Sequence, residues 1–255
     1  MYEDLKGKVA IVTGGAGGIG TAYCRALAGL GVSVVVADLN AEAAQASAKA
    51  LTDDGFSAIG VEVDVTDLDS AKAMVAKTDE AFGQLNILIN NAGIMSALPK
   101  GKLLDIKPDD YLFAMKVNAL SVLVCTQAAV PLMRQSGGGR IINTASTAAF
   151  EPGGLYRLSK NGVVTLTAAL AHEIGAEGFT VNAIAPGMIQ TAEGFRSAGA
   201  VGSEKRTARA QGVPNIRPDR EPTALVGAML LLAAEAGDYI NGQTIIADGG
   251  RNVRL

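Results

Sequence analysis

The sequence predicts an α/β fold, a doubly wound parallel sheet of about seven strands with helices on both faces. Three observations carry this. Seven short segments are apolar throughout instead of alternating, the pattern of strands buried on both faces. Stretches of helical length separate them, and strands joined by helices run parallel through right-handed crossovers. Hydrophobic residues make up 49% of the 255 and charged residues only 18%, ample for one large core. The whole chain, 1–255, therefore reads as one domain.

Residues 9–12 form the first strand, which stops at the turn Thr13-Gly14-Gly15, and a helix follows over about 18–30. Residues 33–37 are the second strand, closed by Asp38, and the Ala-rich 41–54 the second helix, ended by Gly55. The third strand covers 58–63, before Asp64. Residues 67–82 are helical, with Thr66 as the expected N-cap, because its hydroxyl can accept from a free N–H of the first turn. Residues 85–89 are the fourth strand, followed by Asn90-Asn91-Ala92-Gly93. A long helix spans roughly 108–135 and stops near Gly137-Gly138-Gly139. Then come strand 140–143, helix 156–176, strand 180–184, helix 222–234 and strand 244–247. The polar stretch 188–220, with Arg196, Arg206, Arg209, Pro214 and Pro218, is too long for an ordinary connection and reads as a substrate-binding lid.

Composition excludes several functions. With 22 Lys+Arg against 25 Asp+Glu, a net charge of −3 and no Trp, the chain lacks the basic, aromatic surface that nucleic acid requires. One His (His172) and two Cys (Cys24, Cys125) leave almost no room for a Cys/His zinc site, and a Ser-His-Asp triad would need His172. Two distant Cys form no disulfide framework and suit a reducing cytoplasm, the expected location. The N-terminus shows no basic segment followed by an apolar run. The uncharged stretch 117–133 contains Asn118, Ser121, Thr126, Gln127 and Pro131 and is short for a bilayer, so a buried helix is expected and no membrane partner.

The turn Thr13-Gly14-Gly15-Ala16-Gly17-Gly18-Ile19-Gly20 lies between a strand and a helix. Glycines there let the chain turn sharply and let phosphate oxygens approach the backbone. The helix start offers unpaired N–H groups and the positive end of its dipole. Asp38 closes the next strand, 18 residues after Gly20, where a carboxylate can accept hydrogen bonds from both hydroxyls of an adenosine ribose. The same carboxylate repels a 2′-phosphate, and neither Asp38-Leu39-Asn40 nor the glycine turn contains a Lys or Arg. NAD is thus expected in preference to NADP.

Tyr156 and Lys160, at i and i+4, share one face of a helix. A free phenol titrates near about 10, too high for acid–base work at neutral pH. A nearby ammonium and a positively charged nicotinamide favour the phenolate. Such a Tyr accepts the alcohol proton while hydride leaves for the nicotinamide.

With these motifs the chain resembles the single-domain branch of the short-chain dehydrogenase/reductase family over about residues 6–250. The ordered set is Thr13-Gly14-x-x-x-Gly18-x-Gly20, Asp64, Asn90-Asn91-Ala92-Gly93, Asn118, Ser146 at a strand end, Tyr156-x-x-x-Lys160, Val181-Asn182-Ala183-Ile184-Ala185-Pro186-Gly187, Gly242-Gln243 and Asp248-Gly249-Gly250. The resemblance implies a Rossmann fold and a role for each site residue. Tyr156 would be the general acid/base. Lys160 would hold the nicotinamide ribose and tune Tyr156. Ser146 would bond the substrate oxygen, and Asn118 would bind a water that continues the proton path from Lys160. Gly14, Gly17, Gly18, Ile19, Gly20, Asp38 and Leu39 would bind the cofactor, with Asp64 and Val65 against the adenine. Asn91, Ala92 and Gly93 would line the adenosine ribose side. Pro186, Gly187 and Ile189 would flank the nicotinamide carboxamide, with Thr191 a further donor.

The family reading implies an NAD-dependent oxidoreductase that interconverts a secondary alcohol and a ketone. The chain also resembles NADPH-dependent 3-oxoacyl reductases, against which Asp38 counts. A catalytically idle dinucleotide-binding protein is the third reading, against which Tyr156, Lys160 and Asn118 count. One departure keeps it open. Only ten residues separate Ser146 from Tyr156, a shortened loop for the family.

Other residues have plainer expectations. His172 lies 16 residues beyond Tyr156, about 24 Å along a helix, and reads as structural. Cys24 and Cys125 fall within helices, as buried core thiols do. Met95, Phe150, Met188 and Phe195 are candidates for a substrate pocket. Leu120, Val122, Val124 and Ala128, with Val163, Val164, Leu166 and Ala169, are expected to meet symmetry mates in a homotetramer or homodimer, as in the family's tetramers.

Overall fold

Seven strands form one parallel sheet in a computed structural model that describes residues 2–191 and 221–251. They are β1 (Val9–Thr13), β2 (Ser33–Asp38), β3 (Ala58–Glu62), β4 (Ile87–Asn90), β5 (Gly139–Thr144), β6 (Phe179–Pro186) and β7 (Thr244–Ala247). Their order across the sheet is β3-β2-β1-β4-β5-β6-β7. The chain winds outward from β1 to β3, then returns to the centre at β4 and winds the other way. Every residue of β1, β4 and β6 is buried, which is why these segments carry no polar alternation. Register is fixed by direct pairing, Ala10 opposite Ile87 and Ile87 opposite Arg140.

Two apolar layers cover the sheet. Helices α1 (Gly18–Ala28) and α2 (Ala41–Asp53) pack on one face through Tyr23, Leu27, Ala48 and Leu51. Helix α3 (Leu68–Phe82) packs on the other through Met74 and Val75. The long helix runs as α4 (Pro108–Met115), a π-helical stretch Lys116–Leu120, and α5 (Ser121–Gln135). Helix α6 (Leu155–Ile174) lies beside it, and α7 (Val226–Ala233) joins the first face, buried through Met229 and Leu232.

Thr66 does not cap α3. Its N–H and hydroxyl both donate to Asp64 Oδ1 (2.8 and 2.7 Å), and the cap is Asp67, whose carboxylate accepts from the N–H groups of Asp69 and Ser70. Among the described residues one helix, Pro108–Gln135, is long and apolar enough to cross a membrane, and most of its apolar stretch is buried inside the fold. Cys24 and Cys125 are buried and unpaired, and burial pushes both thiols up to about 12. Val122, Val124, Ala128 and Val163 are buried within the protomer and face its own core, so they cannot supply a subunit surface. Of the other residues expected there, Leu120 and Ala169 are exposed and Val164 and Leu166 half-buried, and Tyr111, Leu112, Phe113 and Leu158 are further exposed apolar residues on these helices. Of the expected lid, only 188–191 fall within the described residues, so Phe195, Arg196, Arg206, Arg209, Pro214 and Pro218 lie outside them.

A polar chain crosses the core beneath α6. Asn90 Nδ2 donates to Asn143 Oδ1 (2.9 Å), and Asn143 Nδ2 donates to Thr167 Oγ1 (2.9 Å). This ties β4 and β5 to the helix that carries Tyr156. One buried group is less well served. Tyr23 is wholly buried and its hydroxyl has no hydrogen-bond partner among the described residues. Burying an unpaired hydroxyl costs free energy that an apolar ring avoids. Tyr23→Phe should therefore leave activity intact and raise stability by about 1 kcal/mol; a lower midpoint in urea unfolding would contradict this.

Candidate functional site

Strand order reverses between β1 and β4, and a crevice opens there, beyond the carboxyl ends of the strands. The cleft has a volume of about 1190 Å³. It brings together Gly14, Gly17, Gly18, Ile19, Asp38, Leu39, Asp64, Val65, Asn91, Ala92, Gly93, Ser146, Tyr156, Lys160, Pro186, Gly187, Ile189 and Thr191. Gly20 and Asn118 do not line it but sit immediately behind it. Met95 and Met188 also line the cleft, whereas Phe150 packs against the core. His172 is exposed on the last turn of α6, away from the cleft.

The glycine turn has the shape that its residues permit. Gly14 and Gly18 adopt positive φ (61° and 45°). At Gly20 a Cβ would overlap the Gly14 carbonyl oxygen and lie 2.8 Å from Gly15 Cα, so the turn closes only on glycine. At Gly17 nothing stands within 4 Å of where a Cβ would be, and the bare backbone faces the cleft just before α1. This open cradle at a helix start fits a pyrophosphate. Thr13 Oγ1 accepts from the N–H groups of Asn91 and Ala92 (3.0 and 3.2 Å), while Asn91 Nδ2 donates to the carbonyls of Thr13 and Gly14 (both 3.1 Å). The ends of β1 and β4 are thereby fastened together. Asp38 Oδ2 accepts from the N–H of Ala16 (3.3 Å) and Oδ1 from that of Asn40 (3.1 Å), so one carboxylate braces the turn and the approach to α2. The hydrogen bonds from Thr66 hold the Asp64 carboxyl below the usual range.

Around Tyr156 the arrangement is tight. Lys160 is buried, and its Nζ donates to the Thr144 carbonyl at the end of β5 (2.7 Å). Burial pushes its ammonium down from 10.5 to about 8. Ser146 Oγ accepts from the N–H of Ala148 (3.2 Å), which leaves the hydroxyl hydrogen to donate elsewhere. Asn118 sits on the π-helical stretch. Its Oδ1 accepts from Ile94 N–H (2.7 Å), and its Nδ2 donates to the Ile94 carbonyl (2.9 Å) and to Ser159 Oγ (3.0 Å). The side chain is thus occupied with bracing the segment after β4, and a water at this residue would have to meet its backbone. A Cβ at Gly93 would come within 3.0 Å of Asn118 Oδ1 and 3.3 Å of Lys160 Nζ.

A family model described as "Enoyl-(Acyl carrier protein) reductase" matches residues 14–252. The chain belongs to the short-chain dehydrogenase/reductase family. Family membership makes it an oxidoreductase that binds a nicotinamide dinucleotide. An uncharacterized oxidoreductase of Mycobacterium tuberculosis is 46% identical over 97% of this chain and 98% of its own. The 3beta-hydroxysteroid dehydrogenase 2 of Eggerthella lenta is 38% identical over 96% of this chain and 95% of its own. A crystal structure of a short-chain type dehydrogenase/reductase from Mycobacterium marinum superposes with a TM-score of 0.89 at 31% identity, covering 99% and 98% of the two chains.

Some parts of this dehydrogenase site had no mark in the sequence. The Thr144 carbonyl that holds Lys160 is a backbone atom and carries no residue signature. Glu151, Arg157 and Arg251 line the cleft as well. Of these only Arg157 had a pointer, since it stands next to Tyr156.

The buried ammonium sets a pH-dependent stability. A displacement from 10.5 to about 8 disfavours the charged native state by about 3 kcal/mol while Lys160 is protonated in both folded and unfolded chains. That penalty is complete below pH 8 and fades as pH rises to 10.5, because the native amine gives up its proton first. Lys160→Met should abolish turnover yet unfold at higher temperature than wild type at pH 7, with the gap narrowing between pH 8 and 10.5. A gap that stays constant across that range would refute the buried charge.

Proposed function

We propose that the protein is an NAD-dependent oxidoreductase that interconverts a secondary alcohol and a ketone. The observation that carries this is the order of groups along the carboxyl edge of the sheet. Asp38 and Asp64 stand at the ends of β2 and β3, the open glycine turn beyond β1, and Ser146 beyond β5, lining the same cleft as Tyr156. A dinucleotide laid across that edge brings its nicotinamide to Ser146 and Tyr156. When bound, it supplies the hydride acceptor or donor.

The residues of this chain then have distinct tasks. Gly14, Gly17, Gly18, Ile19 and Gly20 form the pyrophosphate seat, with Asp38 and Leu39 at the adenosine ribose. Val65 joins Asp64 at the adenine, and Asn91, Ala92 and Gly93 hold the middle. Pro186, Gly187, Ile189 and Thr191 flank the nicotinamide. Ser146 donates its hydroxyl hydrogen to the substrate oxygen, and Tyr156 takes or returns the alcohol proton. Lys160 holds positive charge behind the phenol and favours its deprotonated form. Asn118 braces this arrangement from behind.

Met95, Phe113, Val117 and Met188 give the cleft apolar walls, and the Glu151 and Arg157 charges at its wall are paired with each other (2.7 Å). A neutral, apolar secondary alcohol, cyclic or steroid-like, suits such walls. The name of the Eggerthella lenta relative supports that class.

Two measurements test the reading. With a panel of cyclic secondary alcohols, kcat/KM should be higher with NAD than with NADP, and Asp38→Ala should weaken NAD and narrow the difference; equal efficiency in the wild type would sink the NAD assignment. Ser146→Ala should lower kcat/KM by about 2–4 kcal/mol of transition-state stabilisation with NAD affinity unchanged, as loss of an oxyanion donor does. If Ser146→Ala turns over normally while Thr144→Val or Thr147→Val collapses, another hydroxyl serves the substrate.

A further inference from the structure

The connection between Ser146 and Tyr156 is short, and it is held in place from α6. Ser146 caps a single turn, Thr147–Phe150, and the residues Glu151-Pro152-Gly153-Gly154 lead directly into α6. Arg157, in the first turn of α6, reaches back along that connector. Its Nη1 donates to the Pro152 carbonyl (2.8 Å) and pairs with the Glu151 carboxylate (2.7 Å). Its side chain also fills the space above Gly153, where a Cβ would overlap Arg157 Cδ and lie 2.6 Å from Nε. Three consecutive connector residues therefore meet one side chain. One turn further on, Asn161 Nδ2 donates to the Ala149 carbonyl (3.2 Å), which holds the preceding turn.

Arg157 and Asn161 are spaced i and i+4, as are Tyr156 and Lys160, one residue earlier. The start of α6 thus presents two neighbouring stripes, about 100° apart around the axis. One faces the reacting groups, and the other grips the loop that follows Ser146.

We infer that Arg157 is a positioning residue that keeps this short loop, and with it Ser146, in register with Tyr156. This rests on the roles given to Ser146 and Tyr156 above. A short connection has little slack to reach both of its ends, and a guanidinium with several fixed donors can pin it at several points at once. Gly153 belongs to the same device, because a Cβ there would push the arginine side chain off the position it now holds.

The test compares wild type with Arg157→Met, Arg157→Lys and Gly153→Ala. Gly153→Ala displaces the guanidinium without removing its charge. Three readouts are taken: kcat and KM on an alcohol from the panel above, NAD binding by calorimetry, and hydrogen exchange of the amides in 147–155. Arg157→Met and Gly153→Ala should each lower kcat about 100-fold, the scale of a misplaced catalytic group. Exchange in the loop should quicken in both, NAD affinity should hold, and Arg157→Lys should recover part of the rate. The pH profile of kcat/KM should keep its position in every variant. A profile that shifts, with the full rate regained at high pH, would show Arg157 acting through its charge and would overturn the inference. So would wild-type kcat in Gly153→Ala, or exchange unchanged from wild type. Exchange requires no substrate. If no alcohol is turned over, the proposed function fails by itself, and the exchange rates still decide whether Arg157 holds the loop.

Discussion

The bond from Lys160 to the Thr144 carbonyl is the constraint on which the reactive end of the cleft depends. A cation taken out of water needs a fixed partner, and here the partner is the last carbonyl of β5. That requirement sets how closely α6 lies against the sheet. Other contacts then follow from the same approach. Thr167 can meet Asn143 from α6, and Gly93 must lack a side chain because Asn118 and Lys160 occupy the space beside it. Tyr156, one turn before Lys160, reaches the cleft on the same face of the helix.

At the other end of the cleft a purely steric constraint has the same effect. The helix α1 can begin where it does only because Gly20 sits against the Gly14 carbonyl. The Thr13 and Asn91 bonds then lock the ends of β1 and β4, and the cradle at Gly17 is built on that junction. Both ends of the site are thus assembled by the fold itself, in keeping with the view that binding groups are best held on rigid elements.

Much of this was legible in the sequence, for physical reasons that differ by residue. The strands were legible because a parallel sheet buries both faces, and β1, β4 and β6 show that as unbroken apolar runs. The glycine turn and the Tyr156–Lys160 pair were legible because both are local, governed by backbone sterics and by helical spacing. The cap of α3 was misread because Asp64, Thr66 and Asp67 compete within four residues, and the Asp64 carboxylate captures the Thr66 hydroxyl. Val122, Val124 and Ala128 were assigned outward because hydrophobicity says that a residue is buried but not against what. The contacts of Arg157 are not legible beyond its place next to Tyr156, because its partners are a carbonyl, a missing side chain and a carboxylate on a loop whose path no periodicity describes.

The π-helical stretch Lys116–Leu120 has a consequence for comparing this chain with others. A π turn holds one residue more than an α turn, and such turns are frequent at functional sites. Here the surplus residue lets Asn118 face Ile94 while Val122 and Ala129 face the core. Removing one residue from 116–120 would return the stretch to a regular α turn, keeping α5 in phase and changing where residue 118 points. A homologue lacking one residue in this stretch can therefore keep α5 packed and still lose the asparagine's grip on Ile94. An alignment gap placed there is a claim about chemistry as well as about length.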